Sequence, residues 1–188
     1  MTRSLAGCPA PMHRLLLNRK IYTEFVREKM PLAEEFLWIV TADIKDLYID
    51  VSGRFEPLLA MLADRVEHGV AVRLIHAKEP GPRFREDFDR HDELIENELF
   101  ERILCPRVHT KAVVIDGRLA FVGSANLTGA GMGAKHEDKR NFEAGFEFDD
   151  PADIAELMQW IDELYLGEWC RDCRRREYCP DPIIDQFD

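Results

Sequence analysis

No stretch of this sequence approaches the roughly eighteen consecutive apolar residues that a membrane-spanning helix needs. A leader is equally hard to find. Leu5–Cys8, LAGC, has the form of a lipoprotein cleavage site, but only Thr2, Arg3 and Ser4 stand between it and the initiator, with no apolar core. The expectation is a soluble, cytoplasmic chain with no stable membrane association. Glycine and proline are sparse, at 11 and 10 of 188 residues, which argues against extended disorder except at the ends. Cysteine is sparse and odd in number, at five, so a complete disulfide framework is not expected. Basic residues are outnumbered 25 to 36, giving a formal charge of −11. That balance argues against whole-surface attraction to nucleic acid or to an anionic membrane, though not against a local basic cleft.

Such a cleft has a candidate position. Between Arg102 and Arg140 the basic residues Arg107, Lys111, Arg118, Lys135 and Lys139 join those two, opposed only by Asp116, Glu137 and Asp138. The chain is long enough for one core that buries roughly 70% of its extended surface. Residues 1–18 read as an irregular arm, 19–168 as the main domain and 169–188 as a cysteine-containing tail. A helix is expected over Arg19–Met30, and Phe36–Thr41, FLWIVT, reads as a central strand covered on both faces. Ala42–Gly53 reads as a loop. A helix marked by Phe55, Leu58, Leu59, Leu62 and Val66 should stop at His68-Gly69, and Val70–His76 supplies the next strand of a β-α-β unit. Phe84, Phe88, His91, Ile95 and Leu99 trace a second helix. Ile103–Ile115 and Arg118–Val122 read as an antiparallel pair joined at Asp116-Gly117, Leu127–Arg140 as a surface loop, Phe142–Phe148 as a strand, and Asp150 to Leu166 as a helix. The fold class is α/β, a mixed central sheet flanked by helices.

The chemistry concentrates in HTKAVVIDGRLAFVGSAN, which sets His109, Lys111, Asp116, Gly123, Ser124 and Asn126 in the pattern H-x-K-x4-D-x6-G-S-x-N. Alternate side chains of an extended chain share a face, so His109 and Lys111 can reach one ligand. A neutral imidazole attacks phosphorus without a large prior deprotonation cost. Lys111 can neutralise nonbridging oxygens, while Ser124 and Asn126 can donate hydrogen bonds as charge redistributes. Gly123 allows close backbone approach. These parts suit a phosphodiester. The glycines of Gly129–Gly133 do not match the phosphate-loop or dinucleotide patterns, so nucleotide binding has no support.

The constellation resembles the HKD signature of the phospholipase D superfamily, over about residues 34–166. The resemblance implies a phospholipase D-like fold, attack by His109 to give a phosphohistidine, phosphate binding by Lys111 and Asn126, and a structural role for Asp116. Asn141-Phe142-Glu143 matches the family's N-x-E segment, which implies that Glu143 orients His109. Because the motif occurs once, the resemblance further implies a homodimer in which two copies of His109 share one site. No cofactor is needed for that reaction. The expected activity is cleavage of DNA or RNA; the alternatives are a lipid phosphodiesterase and a noncatalytic nucleic-acid-binding or assembly module.

The tail has its own pattern, C-x2-C-x5-C at Cys170, Cys173 and Cys179. Three thiols suit a structural zinc ion, or less readily an iron–sulfur cluster, with Cys8 the expected fourth ligand and His13 or another nearby histidine its competitor; unligated or disulfide-forming cysteines are the alternative. Cys105 is expected to be a packed small apolar residue. Arg171, Arg174, Arg175 and Arg176 read equally as a polyanion contact or a solvated face.

Overall fold

A computed structural model describes residues 10–45, 47–51 and 53–183 of the chain. Its frame is a seven-stranded mixed sheet of order β1-β9-β8-β7-β2-β5-β6. β2 (Phe36–Thr41), β5 (Ala71–His76) and β6 (Phe100–Leu104) run parallel. β7 (Lys111–Ile115), β8 (Leu119–Gly123), β9 (Ala144–Phe148) and β1 (His13–Leu17) continue the sheet antiparallel. The mixed α/β architecture expected from the sequence is the one observed.

Alternation along the central strands divides the core in two. Leu37, Ile39, Val113, Ile115 and Phe121 face Ile21, Phe25 and the apolar side of α1 (Leu58–Glu67). Val40, Ala112, Val114, Ala120 and Phe148 face Ile154 and Ile161 of α4 (Pro151–Tyr165). Every residue of β7 is buried, as a strand covered on both faces requires. Removing a side chain such as Phe121, which packs its ring 5.2 Å from that of Phe25, would cost about 3–5 kcal/mol.

The helix boundaries follow local chemistry. Asp150 caps α4 by accepting from the Ala152 and Asp153 amides, and Pro151 occupies the first turn, where its missing N–H costs nothing. α1 stops before Gly69, whose φ of +87° suits a residue without a Cβ.

Several elements differ from expectation. His13–Leu17 is not part of an irregular arm but an edge strand paired with β9. Only Leu16 on it is buried, so no alternation advertised it. Ile21–Val26 forms a π-helical turn, and Met30–Leu32 a 3₁₀ turn, in place of a continuous helix. Tyr48–Val51 (β3) and Arg54–Pro57 (β4) make a separate hairpin, which removes Phe55 from α1. The helix expected through Leu99 breaks at His91 into α2 (Pro82–Phe88) and α3 (Asp92–Glu96). Ile103–Ile115 is two strands, with Pro106 in the crossing between them.

Candidate active site

Antiparallel register gathers the motif at one end of the sheet. Lys111 pairs with Gly123 and Gly123 with Gly145, so the start of β7, the end of β8 and the start of β9 coincide. The C-terminal ends of β2 and β5 lie at the same end, because Val40 pairs with Ala112 and Thr41 with His76. His109, Lys111, Ser124, Asn126, Asn141 and Glu143 therefore share one rim. Asp116 occupies the other end of β7, roughly 16 Å away along the strand.

Asp116 takes no place at the rim. With Gly117 it forms the turn between β7 and β8, at φ of 52° and 61°. Asp116 Oδ1 accepts from the amides of Glu35 and Phe36 at 2.8 and 2.9 Å, and Oδ2 accepts from that of Glu34 at 3.0 Å. The motif aspartate thus locks the hairpin to the start of β2.

Gly123 has a packing reason. A Cβ built on it would lie 2.7 Å from the Ala144 carbonyl oxygen and 2.8 Å from the Phe121 ring. Its cross-strand partner Gly145 is equally crowded by that ring, so the two glycines together let Phe121 lie flat against β9. The requirement is for backbone-to-ring contact; the expected close approach to a phosphate is a separate matter.

His109 stands just before β7, on the loop that follows β6, and is exposed. Lys111 is buried, with Nζ donating to the His109 carbonyl at 2.6 Å and lying 3.4 Å from His109 Nδ1. Burial lowers the lysine pKa, and the nearby Glu143 carboxylate opposes that shift. The cation is held where it can meet an anion beside the imidazole.

Glu143 organises a different neighbour from the one expected. Its two carboxylate oxygens accept from Ser124 Oγ and from Asn141 Nδ2, the latter at 3.0 Å, and no hydrogen bond joins it to His109 within the chain. Ser124 Oγ also accepts from the Ala144 amide at 3.1 Å. Asn126 Oδ1 accepts from the Asp43 amide at 3.1 Å, leaving its NH₂ group as a donor. That bond fixes which way the amide faces.

Three supporting residues escaped the sequence. Asn18, at φ 50°, accepts from the Glu143 amide and donates its own N–H to the Glu143 carbonyl. Thr41 Oγ accepts from the Leu127 amide and donates to the Asp43 carbonyl. Asp43 completes the pair with Asn126. None has a local signal, because each acts across a strand crossing.

A cavity of about 270 Å³ opens beside His109. Cys170, Cys173 and Cys179 stand on its wall, and so does Cys105, expected only as packing. Among the described residues no three donors are already arranged around a metal position. Cys8 lies outside the described residues. His13 is remote from this group: it pairs with Phe148 at the far end of β9 and its Nε2 lies 2.8 Å from Asp153. His13 is therefore removed as a candidate ligand. All four tail arginines are exposed, and Arg175 bonds the Pro106 carbonyl at 3.0 Å. Among the described residues no helix is long and apolar enough to cross a membrane.

A family model described as cardiolipin synthase, PLD-like domain, matches residues 26–165. No curated protein matches the sequence. Among solved structures the fold is similar to NucT from Helicobacter pylori, with a TM-score of 0.60 and 13% identity over 81% of this chain and 94% of that one. It is similar to Nuc from Salmonella typhimurium, a phospholipase D family member, with a TM-score of 0.58 and 13% identity over 82% and 95% of the two chains. It is also similar to TrmBL2, an archaeal chromatin protein with a novel mode of DNA binding, at 0.55 and 16%, covering 81% of this chain and 52% of that one. At these identities the likeness establishes the fold.

Proposed function

Since the chain belongs to the phospholipase D-like family, we propose that it is a phosphodiesterase that hydrolyses DNA or RNA through a phosphohistidine, at a site completed by a second copy of the chain. The observation that carries this reading is the rim itself: an exposed imidazole beside a buried lysine, with the Asn126 NH₂ held as an oriented donor and with Ser124 and Asn141 bracing Glu143. His109 attacks phosphorus as the bond to the leaving oxygen breaks, and the partner subunit's His109 protonates that oxygen. Water then attacks phosphorus, giving its proton to the partner subunit's His109, and the nitrogen–phosphorus bond breaks. Lys111 balances charge on the nonbridging oxygens throughout. No metal-activated water is required, because the imidazole is the nucleophile.

Dimerisation has a surface to use. Cross-strand neighbours project to the same face, so Leu15 and Phe146 stand together beside Leu17, and they are 50%, 51% and 47% exposed. Phe142, almost fully exposed, lies between the rim residues Asn141 and Glu143. α4 covers this face farther along the strands, at Phe148, but leaves the corner nearest the rim uncovered. An apolar corner beside an incomplete site fits a twofold contact.

Polynucleotide as substrate is supported by the local excess of basic residues around the motif and by its compatibility with backbone contacts. A noncatalytic DNA-binding role is the second reading, favoured by the likeness to TrmBL2. Labelled single- and double-stranded DNA, RNA and phosphatidylcholine, incubated with the wild type and His109→Ala in the presence of chelator, separate the alternatives. Cleavage of at least one polynucleotide is expected, with a loss of roughly 10³-fold or more in the variant. A verified dimer that binds DNA and cuts nothing would establish the second reading instead.

A further inference from the structure

The cavity beside His109 joins two segments far apart in sequence. Cys105 comes from the loop after β6, and Cys170, Cys173 and Cys179 come from the tail; all four are half-buried free thiols. The Cys173 amide donates to the Cys170 carbonyl at 3.2 Å, so the C-x2-C pair sits on a tight turn. Cys179 Sγ reaches the carbonyl of Leu104, the residue before Cys105.

We propose that Cys105, Cys170, Cys173 and Cys179 bind one zinc ion as a tetrathiolate centre that fastens the tail to the loop bearing His109. Soft thiolate donors in a set of four match zinc in its closed, structural coordination and disfavour magnesium or calcium. A zinc ion with four thiolates carries a net charge of about −2, and two cations stand on the same cavity wall to balance it. Arg175 Nη1 donates to the Pro106 carbonyl at 3.0 Å, and Arg107 Nη1 to that of Trp169 at 3.5 Å. The indoles of Trp160 and Trp169 and the Leu164 side chain give the wall an apolar side.

The four sulfurs line the cavity without meeting, so binding turns them inward until each lies about 2.3 Å from a common centre. Cys105 replaces Cys8 as the fourth ligand. The centre is independent of the reaction proposed at His109: its existence requires no catalysis, and its effect is to hold a loop.

The test uses the full chain, purified anaerobically without chelator. Elemental analysis is expected to give about one zinc per subunit in the wild type and in Cys8→Ser. Cys105→Ser is expected to give up its metal to a chromogenic chelator at least about tenfold more readily. Cobalt substitution of the wild type needs no variant to fold: intense visible bands with thiolate-to-cobalt charge transfer indicate tetrahedral coordination by four sulfurs. Less than about half a zinc per subunit would overturn the proposal. So would metal loss in Cys8→Ser with full retention in Cys105→Ser, iron with acid-labile sulfide in place of zinc, or an octahedral cobalt spectrum.

Discussion

Lys111 and His109 are two residues apart, yet they are held by different parts of the molecule. Lys111 begins a strand hydrogen-bonded on both sides, and Asp116 locks that strand's hairpin to β2. His109 belongs to the loop of residues 105–110, which is anchored partly by the sheet, where Lys111 donates to the His109 carbonyl, and partly by the tail. The Cys105 amide donates to the His76 carbonyl, Arg175 holds Pro106, and Asp181 accepts from the Leu104 amide at 2.8 Å. Lys111, the proposed phosphate-binding cation, is thus fixed by sheet register, whereas the loop of His109, the proposed nucleophile, also draws on contacts brought by the tail. A site of this kind can lose its nucleophile's position while its fold persists.

The sharpest way to break that contrast is Lys111→Met. It is expected to lower turnover by roughly 10²–10³-fold with a native spectrum and melting transition, since the strand itself supplies the backbone pairing. An equal loss accompanied by unfolding would mean that the buried lysine is a strut for the loop.

A second effect acts beneath the loop. His76 is fully buried, donating through Nδ1 to the Lys78 carbonyl and accepting through Nε2 from Arg102. Burial, aided by the Arg102 charge, lowers its pKa from 6.5 to about 4. The neutral ring is therefore favoured by folding. Its contribution is complete above pH 6.5 and declines as pH falls towards 4, by a total on the order of 3 kcal/mol. Denaturant titrations at successive pH values should show this slope in the wild type and a flatter one in His76→Gln. Parallel slopes would remove His76 from the account.

Asp116→Ala probes the hairpin lock. Leaving the amides of Glu34, Glu35 and Phe36 without their acceptor should destabilise the protein by about 2–3 kcal/mol, while folded molecules keep their turnover. A matching fall in turnover would show that the far end of the hairpin is felt at the rim. Arg175→Ala, at the exposed end of the tail, should have the smallest effect on stability, about 1 kcal/mol or less. Its expected signature is a few-fold loss of turnover larger than that of Asp116→Ala. The reverse order would contradict the division drawn between sheet and tail.

The same division explains what could be read from the sequence. The extent of β2, the Asp116-Gly117 turn and most of α4 were legible because burial period, turn chemistry and an aspartate cap all act within a few residues. The motif residues were legible because hairpin register converts a fixed spacing into proximity. Asn18, Thr41 and Asp43 were not, since they meet the rim through pairings set by the whole sheet. Strand β1 was hidden because its two outward leucines at an exposed edge erased alternation. Cys105 looked like packing because only the returning tail brings it beside three other thiols.

The proposed reaction stands on His109 becoming covalently bonded to phosphorus during turnover. Rapid acid-free quenching of the wild type with a cleaved oligonucleotide, followed by mass-spectrometric mapping of the modified peptide, tests it most directly. A phosphoryl-linked adduct on His109 that forms and decays at the rate of turnover is the predicted result. Full cleavage activity with no adduct at His109, or with the adduct on another residue, would contradict the account.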